Sequence, residues 1–243
     1  MREMARLTRP RYARVSRAWL SARNGPNREV IGVLECAGVR MSYTRHAEIY
    51  GEAEPAEYLY KVVSGSARTY KVLYDGRRHV GGFYLRGDIF GLETGMVHTF
   101  SAEATTKCEV LVIKHSALLA RAKTDHEVAF QLWMLTGIEL RRLQDHLLLL
   151  IKNATERVAA FLLDLADRAS TGNSVELTMS RQDIADYLGL TIETVSRTLA
   201  YLESMHAIEL VSARRIVLHD RDALARLNSG REEANWLGRP LSG

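Results

Sequence analysis

The segment Ser180–Met205, SRQDIADYLGLTIETVSRTLAYLESM, decides the architecture of the second half of the chain. Ser180 followed three residues later by Asp183 reads as a capping box. Each side chain bonds an amide that a helix N-terminus leaves unpaired. Ile184, Ala185 and Leu188 then mark one inward face at helical spacing. Gly189 supplies a turn, where a left-handed backbone costs glycine little. Thr191 caps a second helix whose apolar face is Val195, Leu199 and Leu202. Two helices joined by so short a turn, with a small residue at Ala185 where they cross, predict a helix-turn-helix.

The outward face of the second helix carries Glu193, Ser196 and Arg197, spaced so that all three project from one side. Their chemistry suits base edges in a major groove. Arginine bonds guanine bidentately, glutamate accepts from cytosine N4, and serine reaches a base edge or a phosphate. A solvated Glu–Arg pair, worth roughly 0.2–0.5 kcal/mol to the helix, is the bland alternative. The turn-and-cap framework around the trio favours DNA readout.

The stretch LTMSRQDIADYLGLTIETVSRTLAYL, residues 177–202, resembles the DNA-binding segment of the CRP–FNR transcription regulators. The E-x-x-S-R of Glu193, Ser196 and Arg197 is similar to the FNR/FixK branch. The resemblance covers about residues 45–228 and is most specific in the helix-turn-helix. It implies an α+β chain with an N-terminal β-roll (jelly-roll, cyclic-nucleotide-binding-like), a long dimerisation helix and a C-terminal winged helix-turn-helix. It further implies a homodimeric regulator, most often an activator, that reads palindromic double-stranded DNA with TTGA-like half-sites and touches RNA polymerase. Arg197 would then meet the guanine, Glu193 the cytosine of the complementary strand, and Ser196 a thymine. Thr178, Ser180, Arg181, Thr191, Thr194, Arg214 and Arg215 are the expected contacts to the DNA backbone.

A chain of 243 residues is long enough for two domains and a sizeable core. Its pI near 9.1 and net charge of +4 permit binding to a polyanion, but sequence reading must come from placed side chains. Two cysteines, Cys36 and Cys108, make no disulfide framework and suit a reducing cytosol, and the family resemblance implies a bacterial cytoplasm. No apolar run approaches the ~18–20 residues that span a bilayer. The densest, Leu147–Ile151, lies inside a polar helix.

Residues 1–30 hold eight arginines and few acids. They read as a basic, loosely ordered extension in preference to a transit peptide. Residues 31–124 form the expected β-roll. Tyr58–Val63, Ala67–Tyr74, Arg78–Leu85 and Lys107–Lys114 read as strands, with Asp75-Gly76 a hairpin turn. V-S-G-S-A-R and L-R-G-D-I-F-G are the pieces that match the family. Residues 125–152 form the long helix. Trp133, Thr136, Leu140, Leu143, Leu147 and Leu150 alternate steps of three and four, the pattern of a heptad seam between two copies. Arg141, Arg142, Gln144 and Asp145 are expected on its other side. Residues 153–228 form the DNA-binding domain: a helix over 153–169, a loop at Ser170–Ser174, then the helix-turn-helix. Ile208–Val211 and Arg215–His219 follow as a hairpin wing, and Asp222–Leu227 as a closing helix. Residues 229–243 lack periodicity and are expected to be disordered.

The β-roll raises the question of a cyclic nucleotide. A buried cyclic phosphate needs a cation or a helix N-terminus to offset its charge. Residues 87–106 contain neither Arg nor Lys. Glu93 could hold a ribose hydroxyl, but His98 and Thr99 stand about where the family's arginine and its neighbour occur. An iron–sulfur cluster needs about four thiolates, and the chain has two. Cys108 reads as a small core hydrophobe. Haem has candidate ligands in His46, His79, His98 and His115, although a lone histidine is usually structural. The expectation is therefore a regulator without cofactor or metal, controlled by its own abundance. A cyclic-nucleotide- or metabolite-gated CRP-like regulator is the alternative. A cupin-like enzyme would need a His-x-His ligand cluster that the sequence lacks. No nucleophile elbow, P-loop, H-E-x-x-H or dinucleotide fingerprint occurs either.

Overall fold

The computed structural model describes residues 38–93, 95–169 and 172–229. The basic extension, Cys36 and the tail beyond Ser229 lie outside the described residues.

Eight strands build the first domain: β1 (Val39–Tyr43), β2 (Glu48–Tyr50), β3 (Tyr58–Ser64), β4 (Ser66–Val72), β5 (Arg78–Leu85), β6 (Ile89–Phe90), β7 (Ser101–Ala104) and β8 (Cys108–Lys114). They form two antiparallel sheets, ordered β1-β8-β3-β6 and β2-β7-β4-β5. β3, β4, β5 and β8 lie where the alternating pattern predicts. β1, β2, β6 and β7, of two to five residues each, are not foreseen. The turn between β4 and β5 places Gly76 at φ 82°, the left-handed backbone that Asp75-Gly76 foretells.

The two faces of β8 serve two cores. Val110 and Val112 point between the sheets, with Tyr50, Tyr60, Val62, Tyr84, Phe90 and Cys108. Leu111 and Ile113 point outward and pack with Leu59, with Leu118 of helix α1 (His115–Ala122) and with Leu135 of helix α2 (His126–Leu150). Asp125 caps α2, accepting from the Glu127 and Val128 amides.

A bulge in β5 creates the contact with the second domain. Thr69 pairs with Gly82 and Tyr70 with Val80, so Gly81 is an extra residue on its strand. Period-two alternation would send Val80 and Phe83 to opposite faces; the extra residue turns both to the same one. There they join the core of the C-terminal domain. A Cβ at Gly81 would lie 2.9 Å from the Phe100 ring, so only glycine suits the bulge.

The C-terminal domain comprises α3 (Ala154–Ala169), β9 (Ser174–Glu176), α4 (Arg181–Leu188), α5 (Ile192–Ser204), β10 (Ile208–Ser212), β11 (Arg215–Leu218) and α6 (Arg221–Asn228). The wing hairpin β10–β11 is extended by β9, which pairs antiparallel with β11. The sequence reading ends the preceding loop at Ser174 and does not foresee β9. Three residues are too few to show an alternation, and main-chain pairing to β11 supplies what the side chains lack.

Candidate nucleic-acid interface

The helix-turn-helix forms as its sequence dictates. The Ser180 hydroxyl accepts from the Asp183 amide at 3.1 Å, and the Asp183 carboxylate accepts from the Ser180 amide at 2.9 Å. α4 ends at Gly189, with φ 63°, and the amides of Gly189 and Leu190 both donate to the Ala185 carbonyl. Thr191 caps α5, its hydroxyl accepting from the Thr194 amide at 3.2 Å. Ile184, Ala185, Leu188, Val195, Leu199 and Leu202 are all buried in one core.

Glu193, Ser196 and Arg197 are exposed together on the opposite face of α5. The Glu193 carboxyl is held below the usual carboxylate range, first by its own amide, then by the Thr191 hydroxyl and the Arg197 charge. It is therefore an acceptor only, the form that cytosine N4 requires.

Around this trio lie most of the expected backbone contacts. Ser180 and Thr191 are exposed at two helix starts, and Thr194 is half-buried beside Thr191. Arg181 is half-buried, and desolvation lowers its guanidinium pKa. Arg214 and Arg215 are exposed at the wing tip, where both amides donate to the Ser212 hydroxyl. Arg215 Nε also donates to Ser174 Oγ at 3.2 Å, tying the tip to β9. Thr178 is half-buried. Its hydroxyl is buried, without a partner among the described residues, between the buried Leu177 and Met179.

The domain is anchored to the β-roll by charge as well as by Val80 and Phe83. Asp183 of α4 contacts Arg68 of β4 and accepts from Arg78 of β5 at 2.6 Å. Arg78 also donates to Asp186 at 2.8 Å. Asp88, in the turn after β5, takes Arg142 of α2 and Arg168 of α3. Burial pulls the Asp88 carboxyl up, but these two guanidiniums and the Leu85 amide outweigh it and hold it low. The sequence reading assigns Asp183 to the cap alone and Arg142 to the side of α2 away from the seam. Arg142 lies on that side against Tyr84 at 4.8 Å, bridging Asp88 and Glu139. An R-G-D turn facing two helices that each carry an arginine was the available signal.

The outer face of α2 is apolar. Trp133, Leu140, Leu143 and Leu147 are exposed, Trp133 by 69% and Leu147 by 65%, and Thr136 is exposed with them. Phe130 and Ile151 lengthen the stripe at either end. Leu150, expected to close the seam, is half-buried and turns its Cδ2 toward Gly189.

The interior of the β-roll is filled by its own rings. His98 stacks on Tyr50 at 3.6 Å, and Tyr60, Tyr84 and Phe90 close around Tyr50 and one another. The His98 ring also contacts one oxygen of Glu93 at 3.3 Å, where the family would place a cation for a cyclic phosphate. These residues do not fit a cyclic nucleotide. The buried Cys108 thiol is pushed up to about 11 by desolvation, then by Glu109, so it stays protonated and inert. Among the described residues no group of three or more His, Cys, Asp or Glu could hold a metal ion. No described helix is long and apolar enough to cross a membrane.

A capped helix-turn-helix with an exposed polar face on its second helix, beside a wing, is the working part of a DNA-binding transcription regulator. Comparison with known proteins agrees. Residues 156–227 match the Crp-like helix-turn-helix domain and residues 40–125 the cyclic nucleotide-binding domain. The nitrogen fixation regulation protein FixK of Azorhizobium caulinodans is 53% identical over 203 residues, 81% of this chain and 82% of that protein. FixK of Rhizobium meliloti is 41% identical over 202 residues, 82% and 92% of the two chains. The structure of FixK2 from Bradyrhizobium japonicum superposes with a TM-score of 0.77 at 49% identity, covering 79% of this chain and 98% of that one. The chain belongs to the CRP–FNR family of transcription regulators, in its FixK branch.

Proposed function

We propose that the protein is a homodimeric transcription regulator, most readily an activator, that binds an inverted-repeat operator with TTGA-like half-sites. The observation that carries this reading is the exposed trio Glu193, Ser196 and Arg197 on the single unburied face of α5. Arg197 takes the guanine, Glu193 the cytosine opposite, and Ser196 the neighbouring thymine. Arg214, Arg215, Ser180, Arg181, Thr191 and Thr194 hold phosphates and set the register. The apolar stripe on α2 pairs with a second copy. Two-fold symmetry then places the recognition helices about 34–36 Å apart, one turn of DNA.

Regulation by abundance, without cyclic nucleotide, is supported by the ring packing inside the β-roll. The protein acts in the bacterial cytoplasm, and contact with RNA polymerase completes the activator role. Fluorescence anisotropy on a TTGAT-N4-ATCAA duplex and a scrambled duplex, at one near-physiological salt and without effector, tests the reading. Tight binding to the palindrome alone is expected. Equal, weak binding to both would overturn it, and calorimetry with cyclic AMP would then decide whether a gated regulator replaces it.

A further inference from the structure

Arg157 lies in the first turn of α3, just after the break that separates α3 from α2. Its Nη2 donates to the Leu150 carbonyl at 2.6 Å, at the end of α2, and its Nε to the Lys152 carbonyl at 2.7 Å, in the break that follows. Its Nη1 donates to the Leu188 carbonyl at 2.8 Å and the Gly189 carbonyl at 3.3 Å, at the end of α4 and in the turn before α5. A helix leaves its last carbonyls without intrahelical partners and carries partial negative charge there. One guanidinium therefore caps two helix ends at once.

All four bonds go to main-chain oxygens, so Arg157 senses where two backbones lie rather than which side chains they carry. The planar guanidinium holds its donors in a fixed fork, and an ammonium has no such span. The packing is close: a Cβ at Gly189 would sit 3.4 Å from Arg157 Nη1 and 3.6 Å from Leu150 Cδ2. Lys152, in the break itself, donates to the Asn228 carbonyl at 2.8 Å and anchors the same segment from the side of α6.

The geometry points to Arg157 as the positioning residue that sets operator spacing, by joining the end of the helix that carries the dimer seam to the turn that carries the recognition helix. This rests on the dimer and palindrome reading above. One added base pair moves a half-site by about 3.4 Å along the DNA and about 35° around it. A rigid junction rejects that displacement, whereas a loosened one accommodates it.

The test measures anisotropy of the full chain on palindromes whose spacers are one and two base pairs shorter or longer than N4, and on a duplex with one half-site. Wild type should favour one spacer by roughly tenfold or more, comparable to the cost of one mismatched base pair. Arg157→Gln should keep its dimer mass and its half-site affinity while its preference among spacers falls to within about threefold. A simple loss of stability would lower every affinity together and leave the profile's shape intact. Should Arg157→Gln fail to fold, Arg157→Lys, which retains the cation but reaches one set of carbonyls, carries the same expectation. A folded, dimeric variant with the wild-type optimum and sharpness overturns the assignment. If wild type itself prefers no spacer, the palindrome reading is the one that fails.

Discussion

Arg68 of the β-roll and Asp183 of the helix-turn-helix form a buried ion pair across the domain boundary, each side chain 5% exposed. Asp183 thus has two duties. It completes the capping box of α4, and it anchors that helix to the outer sheet of the β-roll through Arg68 and Arg78. Breaking a buried pair by removing one member costs about 3–5 kcal/mol, because the other charge stays desolvated. Asp183→Ala should lose that much stability in urea unfolding, and Asp183→Asn less, since an amide oxygen still accepts from Ser180. Asp186→Ala, which removes a partner of the more exposed Arg78, should cost only about 1 kcal/mol. Equal losses for Asp183→Ala and Asp186→Ala would sink this account.

Acid should loosen the same boundary through His146. Its ring stands 4.3 Å from Tyr187 of α4 and 5.9 Å from His79 of β5, with both nitrogens buried and without partners among the described residues. Burial first, and His79 second, push its pKa from the ordinary 6.5 down to about 4. The unfolded chain therefore takes up this proton before the folded one. The stabilisation is whole above pH 6.5 and is lost progressively as the pH falls toward 4. Asp183 and Asp88 act lower still. Burial opposes their ionisation, but hydrogen bonds and arginines hold both carboxyls below 3.8, so their contribution goes only beneath that value. His146→Phe should flatten the urea midpoint between pH 6.5 and 4. Parallel wild-type and variant profiles would count against it.

At the DNA face, base readers and phosphate contacts should separate cleanly. Arg197→Ala should cost roughly 1–3 kcal/mol per half-site and relax choice at the guanine position alone. Arg214→Ala should weaken binding to every sequence alike and reduce the salt slope by about 1. A salt titration of both variants on matched and single-mismatch duplexes measures this. Unchanged specificity in Arg197→Ala would falsify its assignment to the guanine.

The stripe on α2 gives the fourth expectation. Leu143→Lys with Leu147→Lys places two charges on the exposed face of α2. Light scattering should report a monomer with unaltered helix content. Affinity for the palindrome should then fall by about 10²–10⁴, the avidity that a second tethered half-site contributes. Retention of the dimer would move the interface elsewhere.

The helix-turn-helix was legible residue by residue because its determinants are local. Ser180 with Asp183, Gly189, Thr191 and the spacing of Ile184, Leu188, Val195 and Leu199 are short-range matters of capping, backbone freedom and helical period. The same holds for β5, for the wing hairpin and for the exposed stripe of α2, whose periodicity survives without knowledge of a partner. Long-range contact decided the rest. Gly81 becomes a bulge only opposite β4, and that bulge turns Val80 and Phe83 together toward the DNA-binding domain. Arg142 finds its partner only when the turn carrying Asp88 folds against α2, and β9 forms only because β11 is there to pair with. Arg157 looks like any helical arginine until α2 and α4 bring their ends to it. Local chemistry is written in neighbouring residues; which charges meet across a boundary depends on separations of 80 to 115 residues, which no window of sequence contains.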